Sequence, residues 1–300
     1  MILRPDHVLI VGKFSDETSN TSGYLSVLIT GAPEPLSKRI AKGFVDAVEI
    51  YWKDRRGKKP AFVSGFGEIF EAMGSSIGLN NIHLNSKISY IEHKDKNITS
   101  IIDSNGACLP IKNLVYTASL DHLFKSLNPK PPQKILDHLD NIKYRSIFIC
   151  AIYLDMKNFS SNASIYFSDP FCPFTRIYEP KNRSDQMSPK EKTSIVIEVP
   201  IGDRNIDESL TKEHIYDKVI NYLQSEKLID EEKIINYKLV KINDAYPIIT
   251  KDSKNKIEKI KNYLAKFKNL DIIGRNATFE YLHTHDIMER SRNLINKMVS

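Results

Sequence analysis

Between Arg145 and Val199 the chain holds four short runs of β-branched and aromatic residues, each closed by a polar loop. The runs are Arg145 to Leu154, Ala163 to Phe167, Phe174 to Tyr178 and Thr193 to Val199. Their loops carry Pro170, Pro173, Pro180 and Pro189. Proline has no N–H to give a ladder, so these residues fall between strands and not within them. Segments this short, this close together and this rich in β-formers predict an antiparallel sheet. Ile234 to Ile242 adds another strand-like run.

Helical patterns flank that sheet. Thr211 to Ser225 places Ile215, Val219, Ile220 and Leu223 on one face and offers Thr211 as N-cap. Lys254 to Phe267 repeats the pattern with Ile257, Ile260, Tyr263 and Leu264. Upstream, Ala61-Phe62-Val63 runs into Ser64-Gly65-Phe66-Gly67, and a helix follows with Ile69, Phe70 and Met73 on one face and Gly78 as its stop. Strands are predicted at Ile82 to Leu84, Ile88 to Ile91, Ile98 to Ile102 and Leu114 to Thr117, with a hairpin turn at Ser104-Asn105-Gly106. Residues 1–60 form an N-terminal αβ segment: strand-like runs at His7 to Val11 and Tyr24 to Ile29, a helical stripe from Pro35 to Tyr51, then a basic loop from Arg55 to Pro60. The fold class predicted is α+β, a mixed sheet with packed helices.

The chain has 300 residues, 41% hydrophobic and 27% charged, enough to bury a core. Its net charge of +6 is spread along the sequence without the aromatic-basic pattern of a nucleic-acid face. It suits a small anionic ligand instead. Cys108, Cys150 and Cys172 fit no metal or redox spacing and read as reduced thiols. The start does not resemble a secretory leader, and the longest apolar run, Ile147 to Leu154, is too short to span a bilayer. These features lead to the expectation of a soluble, cytoplasmic protein with no membrane span and no nucleic-acid partner.

Four places could carry chemistry. Leu270 to Ile273, then Gly274-Arg275-Asn276-Ala277-Thr278-Phe279-Glu280-Tyr281, then a helical pattern from Asp286, put a strand, a glycine turn and a helix in order. Backbone N–H groups and an arginine can meet a phosphate in such a place. Arg176 and Tyr178 alternate onto one face of a strand and suit a diphosphate, the arginine through paired hydrogen bonds. A cross-strand pair of Arg176 with Glu179 or another acid is the alternative. Gly65-Phe66-Gly67 opens a helix after a strand, but the third fingerprint position is Phe70 and no acidic residue ends a second strand downstream. Its reading is a helix packed closely on its strand. Neither Ser64, His283 and His285 nor Ala245-Tyr246-Pro247-Ile248 completes a triad or a metal site on its own, so no metal is expected.

Taken in order, four segments resemble the C-terminal two-thirds of the flavin amine-oxidase-like superfamily. They are Phe62 to Ile69 with Ile82 to Ile91; Leu114 to Leu120; Pro173 to Glu179; and Ala245 to Ile248 followed by Gly274-Arg275 and Tyr281. The resemblance is greatest to UDP-galactopyranose mutase-like and protoporphyrinogen oxidase-like proteins. It implies that residues 61–300 are an FAD- and substrate-domain-like region, with the substrate sheet at about 140–250. It implies FAD held by Gly274, Arg275, Thr278 and Tyr281, and a nucleotide-sugar held by Arg176, Tyr178 and Tyr246. The family's opening strand and G-x-G-x-x-G turn have no counterpart here, Ala277 stands at a family glycine, and His285 stands at a family aspartate. The implied activity is that of an N-terminally shortened FAD-dependent oxidoreductase or nucleotide-sugar mutase, with a partner chain supplying the dinucleotide-binding half. The alternative is a non-catalytic partner subunit or nucleotide-sugar-binding remnant without flavin. No general base is assignable.

Overall fold

The structure is a computed structural model that describes residues 8–15, 22–29, 67–78, 81–84, 86–140, 142–204 and 206–299. The helical stripe at Pro35 to Tyr51, the basic loop at 55–60 and the turn at Ser64-Gly65-Phe66 lie outside the described residues. The chain divides into two compact units. One includes the first strands together with 70–144 and 246–299, and the other includes 145–245.

In chain order the first unit begins with β1 (Val8–Ser15) and β2 (Ser22–Ile29), an antiparallel hairpin paired from Val8↔Ile29 to Ser15↔Ser22. Helix α1 (Gly67–Ile77) follows, with Ile69 buried. Phe70, expected on the same face, is 58% exposed, because it is a full 100° step around the helix from Ile69. Gly78, at φ 87°, ends the helix and donates to the Gly74 carbonyl at 3.0 Å, a glycine left-handed cap. Next come β3 (Ile82–His83), β4 (Ile88–Lys94), β5 (Asn97–Asp103), β6 (Cys108–Pro110) and β7 (Asn113–Tyr116). Helix α2 (Leu120–Ser126), β8 (Leu127–Asn128) and the short α3 (Gln133–Leu136) complete the stretch before the second unit.

The second unit is the antiparallel sheet that the sequence predicts. Its strands are β9 (Tyr144–Leu154), β10 (Ser164–Tyr166), β11 (Arg176–Tyr178), β12 (Thr193–Pro200) and, after helix α4 (Lys212–Ser225), β13 (Ile234–Pro247). They lie in the order β10-β11-β12-β9-β13. Thr211 caps α4 by accepting from the His214 N–H at 3.3 Å. That helix buries Ile215, Val219, Ile220 and Leu223 against Cys150, Ile152, Ile195 and Ile197 of the sheet.

The chain then returns to the first unit through α5 (Lys251–Leu264), β14 (Leu270–Ile272), α6 (Arg275–Thr278) and α7 (Thr284–Val299). Helix α5 starts three residues before the predicted Lys254, at a reciprocal capping box of Thr250 and Ser253. Two sheets make up this unit, β14-β7-β1-β2-β3 and β6-β5-β4-β8. In the first, β14, β7 and β1 are parallel, whereas β2 and β3 run antiparallel. One core joins the two sheets through Ile91, Ile98, Leu114, Tyr116, Leu123, Ile260 and Phe279. Asn269, just before β14, is a strap across it. Its side chain accepts from Ile98 N at 2.7 Å and donates to the carbonyls of Ile98 and Lys112 at 2.8 and 2.7 Å.

Candidate functional site

The parallel strands β7 and β14 end level with each other at Tyr116 and Ile272, opposite Val11 of β1, which runs on to Ser15. Ligands of α/β sheets sit outside such carboxyl ends, where the loops diverge. Two loops can be followed there. Thr117-Ala118-Ser119 leads from β7 into α2, and Ile273-Gly274 leads from β14 into α6. The Ile273 N–H donates to Tyr116 O at 3.0 Å and extends the pairing to the loop. Gly274 then takes φ 90°, a conformation that side-chain-bearing residues rarely adopt.

Here the structure differs from the sequence-based expectation. The helix after Gly274 is a single turn, Arg275–Thr278, and the long helix starts only at Thr284. The Thr278 N–H and hydroxyl both return to the Gly274 carbonyl, at 3.0 and 2.9 Å. Thr278 is buried, so its polar atoms close the turn. Phe279 ends that turn at φ 53°, a conformation unusual for a bulky residue. It is held there by the core and by the Tyr144 ring, edge-on at 5.2 Å, whose hydroxyl donates to Asn276 O at 2.9 Å.

This strained turn directs Arg275 against two tyrosines. Its guanidinium carbon is 4.9 Å from the Tyr281 ring centre and 5.7 Å from that of Tyr246. The two rings are 6.1 Å apart. Arg275 Nε is buried without an acceptor, and no carboxylate is within ion-pair distance among the described residues. A cation held by two ring faces, with a buried donor unused, is a fit for an anionic group. Tyr281, 58% exposed, also lines a cavity of about 500 Å³ with Ile257, Phe279, Leu282, Lys261 and Arg290. The structure thus brings Gly274, Arg275, Thr278, Tyr281 and Tyr246 into one cluster. Tyr246, expected to face substrate, stacks on the arginine expected to face cofactor.

Beside that cluster, Glu280 bridges Lys261 Nζ and Arg290 Nη1, each at 2.5 Å. Burial alone would raise its pKa, but the hydrogen bonds from Lys261 and Arg290 outweigh it and hold the carboxyl below its ordinary value. A carboxylate with a depressed folded-state pKa contributes stability above its unfolded pKa, and that contribution is lost as pH falls through the folded value. Glu280→Gln should therefore lower stability by about 1 kcal/mol at neutral pH, since both groups are partly solvated. The gap between wild type and variant should close as pH drops below about 4. Urea unfolding at several pH values reads this, and a gap that persists at low pH would contradict it.

In the second unit, Arg176 lies in a cross-strand row, opposite Tyr166 on β10 and Glu198 on β12. It pairs with Glu198 through Nη2 and reaches the Tyr166 hydroxyl at 3.4 Å. Its guanidinium carbon is 5.8 Å from the Tyr166 ring centre and 5.5 Å from that of Tyr178. Burial would lower its pKa, but the hydrogen bonds to Glu198 and Tyr166 prevail and raise it. Arg176 Nε is buried without an acceptor. The acid that meets Arg176 is therefore Glu198, while Glu179 turns into the core with Ile177. Tyr166, 73% exposed, and Glu198 are members of this row that sequence reasoning did not single out. Tyr166 is the last residue of β10, at the edge of a proline-bearing loop, and only the register reveals it.

Other groups have no comparable arrangement. Burial pushes the Cys150 thiol up to about 12 and raises that of Cys172, so neither is a nucleophile near neutral pH. The His283 and His285 rings stack 5.5 Å apart, and no cluster of three metal-binding side chains occurs among the described residues. No described helix is long and apolar enough to cross a membrane.

The β1–β2 hairpin bears on the dinucleotide question. Its strands are antiparallel and joined by six residues, 16–21, whereas a parallel strand-helix-strand crossover takes a dozen or more. This pair of strands supplies no crossover helix for a pyrophosphate. The fit to an FAD-class group therefore rests on the Gly274–Tyr281 side.

Comparison with known proteins agrees with the fold. The chain is similar to a reduced UDP-galactopyranose mutase structure, with a TM-score of 0.68 and 19% identity over 78% of this chain and 51% of that one. It is also similar to a putative protoporphyrinogen oxidase from Exiguobacterium sp. (TM-score 0.63, 13% identity, 78% and 51% covered). A putrescine oxidase shares the fold at TM-score 0.54 and 9% identity, over 79% of this chain and 53% of that one. The chain spans about half the length of these solved structures. No curated protein matches it. The family model for UDP-galactopyranose mutase matches residues 35–217, more than half of the sequence. The chain belongs to the UDP-galactopyranose mutase family, with the mixed α+β fold of the flavin amine-oxidase-like superfamily.

Proposed function

We propose that this chain is a nucleotide-sugar mutase-like, FAD-dependent protein that carries the substrate sheet and the closing side of the cofactor site. The observation that carries this reading is Arg275, a cation held against Tyr246 and Tyr281 with a buried Nε unused. In this reading Gly274, Arg275, Thr278 and Tyr281 form the wall against the cofactor pyrophosphate, Thr278 by fixing the turn. FAD bound there would supply either nucleophilic attack at a sugar's anomeric carbon or hydride acceptance. Arg176 and Tyr178 offer a diphosphate one charged fork and one hydroxyl, with Glu198 holding the guanidinium in plane.

Absorbance of the purified protein in the flavin bands, before and after added FAD, tests the cofactor half. A colourless protein that FAD does not reconstitute would sink that half. UDP binding by calorimetry tests the other half. Arg176→Ala should weaken UDP about tenfold or more, the magnitude of a charged hydrogen bond. Unchanged affinity would remove Arg176 from the site.

The antiparallel β1–β2 pair favours a second reading, a nucleotide-sugar-binding protein or partner subunit that works without flavin. It expects UDP affinity with no flavin binding, so the same two measurements separate the readings.

A further inference from the structure

Lys181 follows β11 in the single turn Pro180–Asn182, and its side chain is buried. Its Nζ donates to four main-chain carbonyls: Lys157 at 2.9 Å, Pro189 at 3.0 Å, Lys190 at 2.7 Å and Lys192 at 2.8 Å. No carboxylate is within ion-pair distance of it among the described residues. An ammonium has three hydrogens for these four oxygens, so at least one is shared. Buried charges are ordinarily paired with opposite ones. Here the compensation comes from carbonyl dipoles alone, as when carbonyl oxygens replace the hydration shell of a monovalent cation.

The carbonyls belong to two loops. Lys157 precedes β10, while Pro189, Lys190 and Lys192 lead into β12 at Thr193. Glu179, two residues before Lys181, makes the reciprocal connection. Its carboxylate accepts from the N–H groups of Phe159 and Ser160 and from the Thr193 hydroxyl. The exit of β11 and the entry of β12 are thereby tied to the same loop. These two strands carry Arg176 and Glu198.

We propose that Lys181 is a tethered monovalent cation: its ammonium fills a carbonyl cage that would otherwise take a potassium or ammonium ion, and so makes Lys181 a positioning residue for Arg176. The positioning half rests on Arg176 belonging to the nucleotide-sugar site, whereas the cation half does not.

Lys181→Ala empties the cage, and Lys181→Met fills it with an uncharged chain. Thermal midpoints of the full-length proteins would be compared in ammonium, potassium, lithium and tetramethylammonium chloride at equal ionic strength. The alanine variant should gain several degrees in ammonium and potassium over the other two salts. Wild type and the methionine variant should not distinguish the salts. An alanine variant indifferent to the cation, or as stable as wild type in all four, overturns the cage. UDP affinity of Lys181→Ala should fall about tenfold in lithium and recover in ammonium. If affinity is unchanged in lithium, Lys181 does not position Arg176. If wild type itself does not bind UDP, the nucleotide-sugar reading fails and the midpoints still decide the cage. Should the alanine variant not fold, acetylation of native wild type mapped by mass spectrometry decides. Lys181 should react at least about tenfold more slowly than exposed Lys190 and Lys192, and equal rates would overturn the proposal.

Discussion

Glu179→Ala is expected to lower stability by about 3–5 kcal/mol, the cost of leaving several buried donors without their acceptor. The carboxylate is 1% exposed and accepts four hydrogen bonds: Phe159 N and Ser160 N at 2.9 Å, the Thr193 hydroxyl at 2.6 Å and Asn182 Nδ2 at 3.1 Å. Alanine would leave the Phe159 and Ser160 N–H groups and the Thr193 hydroxyl without an acceptor in a place water reaches poorly, while Asn182 Nδ2 keeps the Ser160 and Asn162 carbonyls. Glutamine is a sharper probe. It keeps the shape, yet it turns an NH2 towards donors, so about 1–3 kcal/mol should still be lost. Chemical unfolding of the full chain, followed by circular dichroism, measures both. A loss below about 1 kcal/mol for alanine would mean that the loop finds other acceptors and that the cradle is not a fixed part of the fold.

Arg275→Ala should weaken binding of an adenine dinucleotide or its pyrophosphate about tenfold to a hundredfold, corresponding to one or two charged hydrogen bonds. Arg275→Lys should restore little. An ammonium lacks the planar fork that lies against the rings of Tyr246 and Tyr281, and it has no counterpart to the buried Nε. Stability should change much less than for Glu179→Ala, because among the described residues Arg275 has no carboxylate to leave unpaired. Equilibrium dialysis with FAD reads the affinity. Equal binding by wild type and both variants would detach Arg275 from the anion site.

Much of the fold is visible in the sequence where local pattern and burial agree. The apolar stripe and Thr211 cap mark α4, and the proline-punctuated runs mark β9 to β12, because both depend on neighbours a few residues away. The β4–β5 hairpin was harder to see. Its turn is Asp95-Lys96, both at positive φ, with no glycine to announce it. Helix α6 was hidden because one turn held by a buried threonine hydroxyl has no periodicity. The candidate site was legible in part for the same reason. Period two places Arg176 and Tyr178 together, and it also places Glu179 with Ile177 on the buried face, a consequence readable from the residues but obscured by the glutamate's charge. Tyr166 and Glu198 join the row only through register, which links residues ten and twenty-two positions away from Arg176. The Arg275 cage needs Tyr246 from before α5 and Tyr281 from after α6, a proximity that tertiary packing alone decides.

One consequence of the β1–β2 hairpin concerns assembly. Strand β1 is paired with β2 along its whole length and with β7 over Val8–Val11, so that part of the sheet interior offers no open ladder. Among the described strands, the unpaired edges are those of β14 and β3. A second polypeptide that extends this sheet along its full width would therefore add at one of its borders, alongside Leu270–Ile272 or Ile82–His83. Only the first of these borders adjoins the Gly274 turn, so a partner that completes the anion site by strand addition would meet this chain at β14.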